Sequence, residues 1–425
     1  MIPETPASGG GPRRPRRLFV APVRAGLLLA FVSAMAGGQP LTFQTLLVDN
    51  NGSGDDKAVA DIDMDGDDDG ILGGIPTGVG SEDELAWYES TGPGRSFLRH
   101  DLLISIEEFT TDIEAADIDG DGDPDIVYAD GTGTNRVRWL ENPKLDPPPG
   151  VPADPTNGAN WTIRVVGTHG NYSHDIEVAL IDSDSLLDIV TLGNGFFKIH
   201  FQNSPTSWTT VDFGQHATDG SPAIADIDGD GDRDLFVQGG WIRNPPSGKR
   251  NPANWEFFSI TNSDPGDGPA AAAVDIDRDG RVDLVTCRQH DDSGALAWYK
   301  NPANPTQANW ARTVIAAAAG SHHLRVADFD GDSRPDLLVG LELSSGYVRV
   351  YRNTGSTPAF TMHPVASGGG GHNAAVGDLD GNGLPDVWAA DWIGNPPLRA
   401  YFNGPDVIFR DGFETGNTSK WSLGP

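Results

Sequence analysis

Short apolar runs recur along the chain, and each is separated from the next by a turn rich in glycine, proline, asparagine or aspartate. One full example begins with Ile113–Ala116, continues after an acidic segment with Ile126–Ala129, and is followed by Arg136–Leu140 and Trp161–Val166. Runs of this length between turn residues are typical of β-strands. The pattern therefore predicts a meander of four short strands, in which Asn142-Pro143 ends the third.

An acidic nonapeptide lies between the first and second strands of this unit and occurs seven times, about 50 residues apart. Its fullest form is Asp-x-Asp-x-Asp-Gly-x-x-Asp. The copies begin at Asp61, Asp117, Leu180, Asp226, Asp275, Asp328 and Asp378. A repeat of this length is one supersecondary unit of an array, so the period predicts a single large repeat domain.

The remaining strands of each unit follow the nonapeptides in the same order. Third-strand patterns occupy Leu85–Glu89, Val137–Glu141, Phe197–Phe201, Gly240–Arg243, Leu296–Lys300, Val348–Arg352 and Leu398–Phe402. Fourth-strand patterns occupy Phe97–Leu102, Trp161–Val166, Trp208–Phe213, Trp255–Ile260, Trp310–Ile315 and Phe360–Val365. The last unit has no fourth strand of its own, whereas Thr42–Val48 precedes the first nonapeptide without a partner.

This offset predicts that the N-terminal strand completes the last unit and closes a ring, which removes exposed sheet edges. We therefore predict an all-β fold, a seven-bladed β-propeller of four-stranded antiparallel blades, over residues 41–405. An open β-solenoid is the alternative, although its repeats are usually shorter.

The nonapeptides also predict metal sites. Positions 1, 3, 5 and 9 offer side-chain oxygens and position 7 offers a main-chain carbonyl, while glycine at position 6 permits a sharp reversal. The candidate ligands are Asp61, Asp63, Asp65, Asp67 and Asp69; Asp117, Asp119, Asp121, Asp123 and Asp125; Asp226, Asp228, Asp230, Asp232 and Asp234; Asp275, Asp277, Asp279, Arg281 and Asp283; Asp328, Asp330, Asp332, Arg334 and Asp336; and Asp378, Asp380, Asn382, Leu384 and Asp386.

The third copy is damaged, because Leu180 replaces its first ligand while Asp182, Asp184 and Asp188 remain. We expect that copy to be empty or weak. Oxygen ligands suit a hard cation, and Ca²⁺ is favoured over Mg²⁺, which rarely takes an all-protein oxygen cage. The expected content is about five to seven Ca²⁺ ions.

Composition and the chain ends add an expectation of export. The net charge is −32, which disfavours binding to nucleic acid or an anionic membrane. Residues 1–36 combine a basic start, an apolar stretch at Ala25–Met35 and a small-x-small site before Gly37, as in a signal peptide of the Sec or twin-arginine type. A disordered basic tail is the alternative. The short tail 406–425 stands outside the repeats, and we expect a monomer.

A polar cluster is predicted where the first strands meet at the axis, on the face opposite the metal loops. Most units carry alanine at one axial position, but Glu114, Glu177 and Arg325 replace it, and Glu177 could pair with Arg325 across the channel. The other candidate ligand-binding residues of this face are Asp112, His174, Asp175, His322, His323 and His372. Solvated loop histidines around a water-filled channel are the alternative.

The nonapeptides and their flanking strands, such as Val59–Gly66, resemble the FG-GAP and VCBS calcium propellers, the group that includes the integrin α-subunit head. The Trp298-Tyr299-Lys300-Asn301-Pro302 type of strand end resembles the bacterial secreted branch of that group. The resemblance implies the propeller and its calcium, but proteins of this fold bind, scaffold and occasionally catalyse.

Three functions remain open at this point. The first is a non-catalytic exported binding or adhesion protein for a glycan or an extracellular protein. The second is a carbohydrate-active lyase or dehydratase that uses the axial histidines and acids. The third is a structural surface scaffold. Since no familiar nucleophile, zinc-protease or nucleotide motif occurs, we favour a protein without catalytic activity.

Overall fold

Seven separate four-stranded antiparallel sheets form a ring in a computed structural model of the chain, which confirms the seven-bladed β-propeller. The structure describes residues 38–50, 54, 56–76, 83–106, 110–130, 135–170, 173–193, 196–214, 223–237, 239–260, 270–288, 294–317, 319–321, 324–341, 346–355, 359–368, 370–391 and 397–404. The predicted signal peptide and the C-terminal tail lie outside these residues.

Strands are numbered in chain order, and a blade is named by the nonapeptide it contains. Blade 1 consists of β2 (Asp56–Ala60), β3 (Asp69–Pro76), β4 (Asp83–Ser90) and β5 (Phe97–Ile106). Blade 2 consists of β6 (Thr110–Ala116), β7 (Asp125–Asp130), β8 (Arg136–Glu141) and β9 (Thr162–Thr168). Blade 3 consists of β10 (Ser173–Ala179), β11 (Asp188–Gly193), β12 (Phe196–Ser204) and β13 (Ser207–Asp212).

The remaining blades repeat this order. Blade 4 consists of β14 (Ala223–Ala225), β15 (Asp234–Val237), β16 (Gly240–Arg243) and β17 (Glu256–Ser259). Blade 5 consists of β18 (Ala270–Val274), β19 (Asp283–Cys287), β20 (Leu296–Lys300) and β21 (Ala311–Ala316). Blade 6 consists of β22 (Leu324–Ala327), β23 (Asp336–Leu341), β24 (Tyr347–Asn353) and β25 (Phe360–Ser367). Short 3₁₀ helices at Gly92–Gly94, Gly158–Asn160 and Pro252–Asn254 precede three of the fourth strands.

Blade 7 closes the ring as predicted. It consists of β26 (Ala375–Gly377), β27 (Asp386–Ala389) and β28 (Leu398–Asn403), and β1 (Phe43–Asp49) is its outermost strand. The pairing is antiparallel, with Phe43 opposite Asn403 and Leu46 opposite Ala400. Because the first and last strands of the described residues share one sheet, the ring cannot open without breaking that ladder.

The hydrophobic core of the described residues is divided into seven clusters, one at each seam between neighbouring blades. At the seam of blades 4 and 5, Trp241 is fully buried, and its indole Nε1 donates to the carbonyl of Pro305 at 3.2 Å. Trp310 donates to the same carbonyl, also at 3.2 Å. Trp241 therefore fills space between blades and does not offer its ring to a sugar.

Candidate functional site

Each nonapeptide joins the first and second strands of its blade and is called loop 1 to loop 7 in chain order. In six loops, both position 4 and position 6 adopt the left-handed backbone region: Met64 and Gly66, Gly120 and Gly122, Gly229 and Gly231, Arg278 and Gly280, Gly331 and Ser333, Gly381 and Gly383. Ser333 keeps this conformation at φ 66° without glycine, so loop 6 retains the common fold. The two reversals curl the chain around a centre that the side chains of positions 1, 3 and 5 can face.

Carboxylate oxygens converge in these loops. In loop 1, one oxygen each from Asp61, Asp63 and Asp69 lie within 4.8 Å of one another, and the same holds for Asp117, Asp119 and Asp125 in loop 2. Equivalent groups are Asp226, Asp228 and Asp230; Asp275, Asp277 and Asp279; and Asp328, Asp330 and Asp332. Several aspartate clusters could therefore hold a metal ion, and an all-oxygen donor set suits a hard divalent cation.

Main-chain amides hold the first carboxylate of the loops in place. In loop 1 the amides of Asp65 and Gly66 donate to the two oxygens of Asp61 at 2.9 and 3.1 Å. In loop 5 the amides of Asp279 and Gly280 donate to Asp275 at 3.0 and 2.8 Å. The first ligand is thus oriented by the loop's own backbone.

The aspartate at position 9 is fully buried in all seven loops and serves as a latch. In loop 2 one oxygen of Asp125 accepts from the amide of Ile118 at 2.9 Å, and the other accepts from the amide of Asn142 at 2.8 Å. The same pair of contacts recurs at Asp69, Asp188, Asp234, Asp283, Asp336 and Asp386. Position 9 therefore ties the loop to the end of the third strand, a role that the ligand prediction did not include.

The residue at the end of each third strand connects its blade to the preceding loop. The side-chain amide of Asn142 donates to the carbonyl of Ile62 in loop 1 at 2.9 Å. Equivalent bonds join Gln202 to Ile118, Asn244 to Ile181, Asn301 to Ile227, Asn353 to Ile276, Asn403 to Phe329 and, through a hydroxyl, Ser90 to Leu379. We call these seven side chains, with the seven position 9 aspartates, the loop ring. It joins every loop to its neighbour by buried hydrogen bonds.

Basic side chains compensate part of the loop charge. Arg243 pairs with Asp228 at 2.7 Å, and Arg95 pairs with Asp380 at 2.7 Å from the neighbouring blade. Lys300 contacts Asp277, and Arg352 contacts Asp330. Each of these cations meets position 3 of a loop. In loops 5 and 6 the carboxylate at position 5 is paired as well, since Lys300 lies 2.8 Å from Asp279 and Arg334 lies 2.5 Å from Asp332.

Burial raises the pKa of several aspartates in the loops. It raises the pKa of Asp61 to about 6 and that of Asp69 to about 9, and amide donors oppose both shifts. Burial also raises the pKa of Asp336 to about 8. A bound cation would favour the ionised form of these groups.

Three candidate residues of the axial cluster occupy equivalent positions of their inner strands. Glu114, Glu177 and Arg325 lie opposite Val127, Val190 and Leu338, the same register at which other blades carry Ala58, Ala223, Ala272 and Ala375. Burial raises the pKa of Glu177 to about 8; the charge of Glu114 adds to the rise and Arg325 opposes it. Burial likewise raises the pKa of Glu114, and Arg325 lowers it. Since Arg325 belongs to blade 6, its influence on blades 2 and 3 acts across the axis.

Two further aspartates connect the inner strands. Asp112 is buried and accepts from the amide of Ile176, in the next blade, at 2.8 Å. Burial raises its pKa well above the usual range, and the charges of Asp175, Glu114 and Asp56 add to the effect. At the seam of blades 7 and 1, the amide of Asn373 donates to Asp56 at 3.1 Å.

The histidines of this face are only partly described. His372 is buried, and its carbonyl accepts from the ammonium group of Lys57 at 2.8 Å, so it belongs to the seam of blades 7 and 1. His174 lies in β10, and nothing of its side chain is described. His322 and His323 lie outside the described residues.

Comparisons with known proteins agree with the repeat. Residues 181–237, 275–339 and 334–389 match the FG-GAP-like repeat family, so the chain carries FG-GAP-like repeats in three places. No curated protein matches the sequence. One similar solved structure is an Agrocybe aegerita lectin described as recognising non-reducing terminal N-acetylglucosamine specifically: it is 15% identical, with a TM-score of 0.49 and 86% of each chain covered. Another is BBS1N in complex with ARL6DN, 13% identical with a TM-score of 0.49, covering 85% of this chain and 96% of that one.

Proposed function

We propose that this protein is an exported, calcium-stabilised β-propeller that binds an extracellular ligand without catalysing a reaction. The convergence of carboxylate oxygens in loops that are hydrogen-bonded to one another carries the proposal. Calcium accepts six to eight oxygen ligands in flexible geometry, and the loops offer carboxylates together with a main-chain carbonyl at position 7. Neutralising one loop then stabilises two blades, because the loop ring spans each seam.

Export is supported by the composition of residues 1–36 and by the calcium concentrations found outside cells, where modules bind Ca²⁺ with Kd values of about 10⁻⁴ to 10⁻³ M. No helix within the described ranges has the length and apolarity that a membrane crossing requires. Mass spectrometry of protein recovered from the outside of the cell would test export. We expect the mature chain to begin near Gly37, and an intact start at Met1 would contradict it.

The first test of the calcium proposal is the elemental content of the protein, purified without chelator and dialysed against metal-free buffer. We expect about five to seven calcium ions per chain and no other metal in stoichiometric amount. A protein without calcium would overturn the proposal. One equivalent of zinc, manganese or iron would instead direct attention to the histidines of the axial face.

We propose that the ligand binds at the axial cluster. There the acidic side chains of Glu114 and Glu177 and the basic side chain of Arg325 lie close enough to influence one another. A glycan or a protein would meet hydrogen-bond acceptors there and one guanidinium. A glycan array and a panel of extracellular proteins, probed with the wild type and with Arg325→Ala, would test this. Loss of a wild-type signal in the variant supports the axial site, an unchanged signal excludes it, and the absence of any signal favours a scaffold.

A carbohydrate-active enzyme is the second candidate, and the raised pKa of an axial carboxyl next to a second carboxyl favours it. Burial raises the pKa of Glu177 to about 8, so this carboxyl would hold a proton at neutral pH and could act as a general acid beside Glu114. Activity on polysaccharides that disappears in Glu177→Gln, while calcium content is unchanged, would establish this function in place of simple binding.

A further inference from the structure

Loop 3 lacks part of the ligand set that would bind a metal ion in the other loops. Its first position is Leu180, whose side chain packs against the core cluster at the seam of blades 2 and 3. Positions 4 and 6 are Ser183 and Ser185, and neither adopts the left-handed conformation found at these positions in the six other loops. Loop 3 therefore lacks both the first carboxylate and the backbone curl that gathers the ligands.

A cation from the next blade lies at this loop instead. The guanidinium of Arg250 donates through Nε to Asp182 at 2.8 Å, its Nη2 lies 2.7 Å from the same carboxylate, and Nη2 lies 3.7 Å from Asp184. The group is fixed on its other sides, since it donates to Asn203 at 2.5 Å and lies over the ring of Phe201 at 5.0 Å. The planar fork of an arginine suits such an arrangement better than a lysine would.

Blade 7 offers an internal comparison. Arg95 reaches from blade 1 to Asp380 in the same way and lies over Phe402 at 4.7 Å. Loop 7, however, retains Asp378 at position 1 and left-handed Gly381 and Gly383. An ion pair between an arginine and the aspartate at position 3 is thus compatible with an intact loop. Only loop 3 combines such an ion pair with the loss of the first carboxylate and of the left-handed residues at positions 4 and 6.

We propose that Arg250 is a built-in cation that takes the place of calcium in loop 3, so the joint between blades 3 and 4 is independent of metal. The inference rests on the proposed calcium sites of the other loops. It implies one ion fewer than the number of loops, and it implies one seam of the propeller that chelators leave intact.

The calcium content of two matched variants tests the first half. Asp184 and Asp65 both occupy position 5, in loops 3 and 1. We expect Asp65→Ala to lower the bound calcium by one equivalent and Asp184→Ala to leave it unchanged. Loss of one equivalent in Asp184→Ala would overturn the inference.

Thermal unfolding in excess chelator tests the second half and does not depend on calcium binding elsewhere. Arg250→Ala should lower Tm by about 2 °C in chelator as well as in calcium, because a partly exposed ion pair is lost in both. Arg233→Ala is the control, since it removes an exposed guanidinium that makes no ion pair among the described residues. A loss confined to calcium buffer, or equal losses in both variants, would contradict the role of Arg250. If the wild type binds no calcium, the proposed function fails, while this comparison still decides the role of Arg250.

Discussion

The side-chain amide of Asn142 donates to the main-chain carbonyl of Ile62 at 2.9 Å, although 80 residues separate them along the chain. The amide of Ile62 in turn donates to Asp69, and the amide of Asn142 donates to Asp125. Ile62 and Asn142 thus connect the position 9 aspartate of loop 1 to that of loop 2. Because the same arrangement recurs at every seam, the loops and the blade interfaces form one connected structure.

Removal of one side chain from the loop ring should therefore destabilise the whole propeller. Gln202→Ala leaves the buried carbonyl of Ile118 without its 2.9 Å donor, and we expect a loss of about 1–3 kcal/mol in the free energy of unfolding. Gln307→Ala, at an exposed position, is the matched control and should change stability by less than about 0.5 kcal/mol. Denaturant titration measures both, and equal midpoints would contradict the role of the ring.

The latch role of position 9 predicts destabilisation that does not require calcium. The two carboxylate oxygens of Asp283 accept hydrogen bonds from the main-chain amides of Ile276 and Asn301, at 3.2 and 2.8 Å. In Asp283→Asn the side-chain NH₂ group would replace one of these oxygens and would face a main-chain N–H donor. We expect a loss of about 1–3 kcal/mol in chelator as well as in calcium. Asp146→Asn, at an exposed site, is the control. An effect seen only with calcium would mean that Asp283 acts as a metal ligand alone.

The axial cluster predicts a pH dependence of stability. The folded-state pKa of Glu177, about 8, exceeds the ordinary value of 4.5, so between these values the folded chain holds a proton that the unfolded chain releases. Its contribution to stability is fully present below pH 4.5 and is lost as pH rises through about 8. Glu177→Gln should flatten the fall of Tm between pH 5 and 9 and should be the more stable protein at pH 9.

Tm measured across this range for the wild type, Glu177→Gln and Glu256→Gln checks the prediction. Glu256 is exposed on an outer strand and should behave like the wild type. Parallel curves for all three proteins would show that Glu177 is ionised in the folded chain at neutral pH.

The fold could be predicted from the sequence because its signals are local and repeated. Third-strand patterns such as Gly240–Arg243 and Leu296–Lys300 coincide with β16 and β20, and the unpaired Thr42–Val48 indicated the closing strand. The shared register of Glu114, Glu177 and Arg325 followed from the repeat as well, since each stands three residues before its nonapeptide.

The loop ring and the partner of loop 3 could not be predicted in this way. Asn142 was interpreted as the end of a strand, and its bond to Ile62 depends on how two blades are placed beside each other. Arg250 lies 68 residues from Asp182, and no local pattern connects them. The repetition of asparagine after the third strand, at 142, 244, 301, 353 and 403, was a signal that could have indicated a shared tertiary role.

The central claim is that calcium holds the ring of loops together, and thermal unfolding with and without calcium tests it most directly. In about 10 mM calcium, ten- to a hundredfold above a Kd of about 10⁻³ to 10⁻⁴ M, each site adds about 1.4 to 2.7 kcal/mol. We predict that excess chelator lowers Tm by more than about 10 °C, and that calcium, but not magnesium at the same concentration, restores it. An unchanged Tm in chelator would contradict the account.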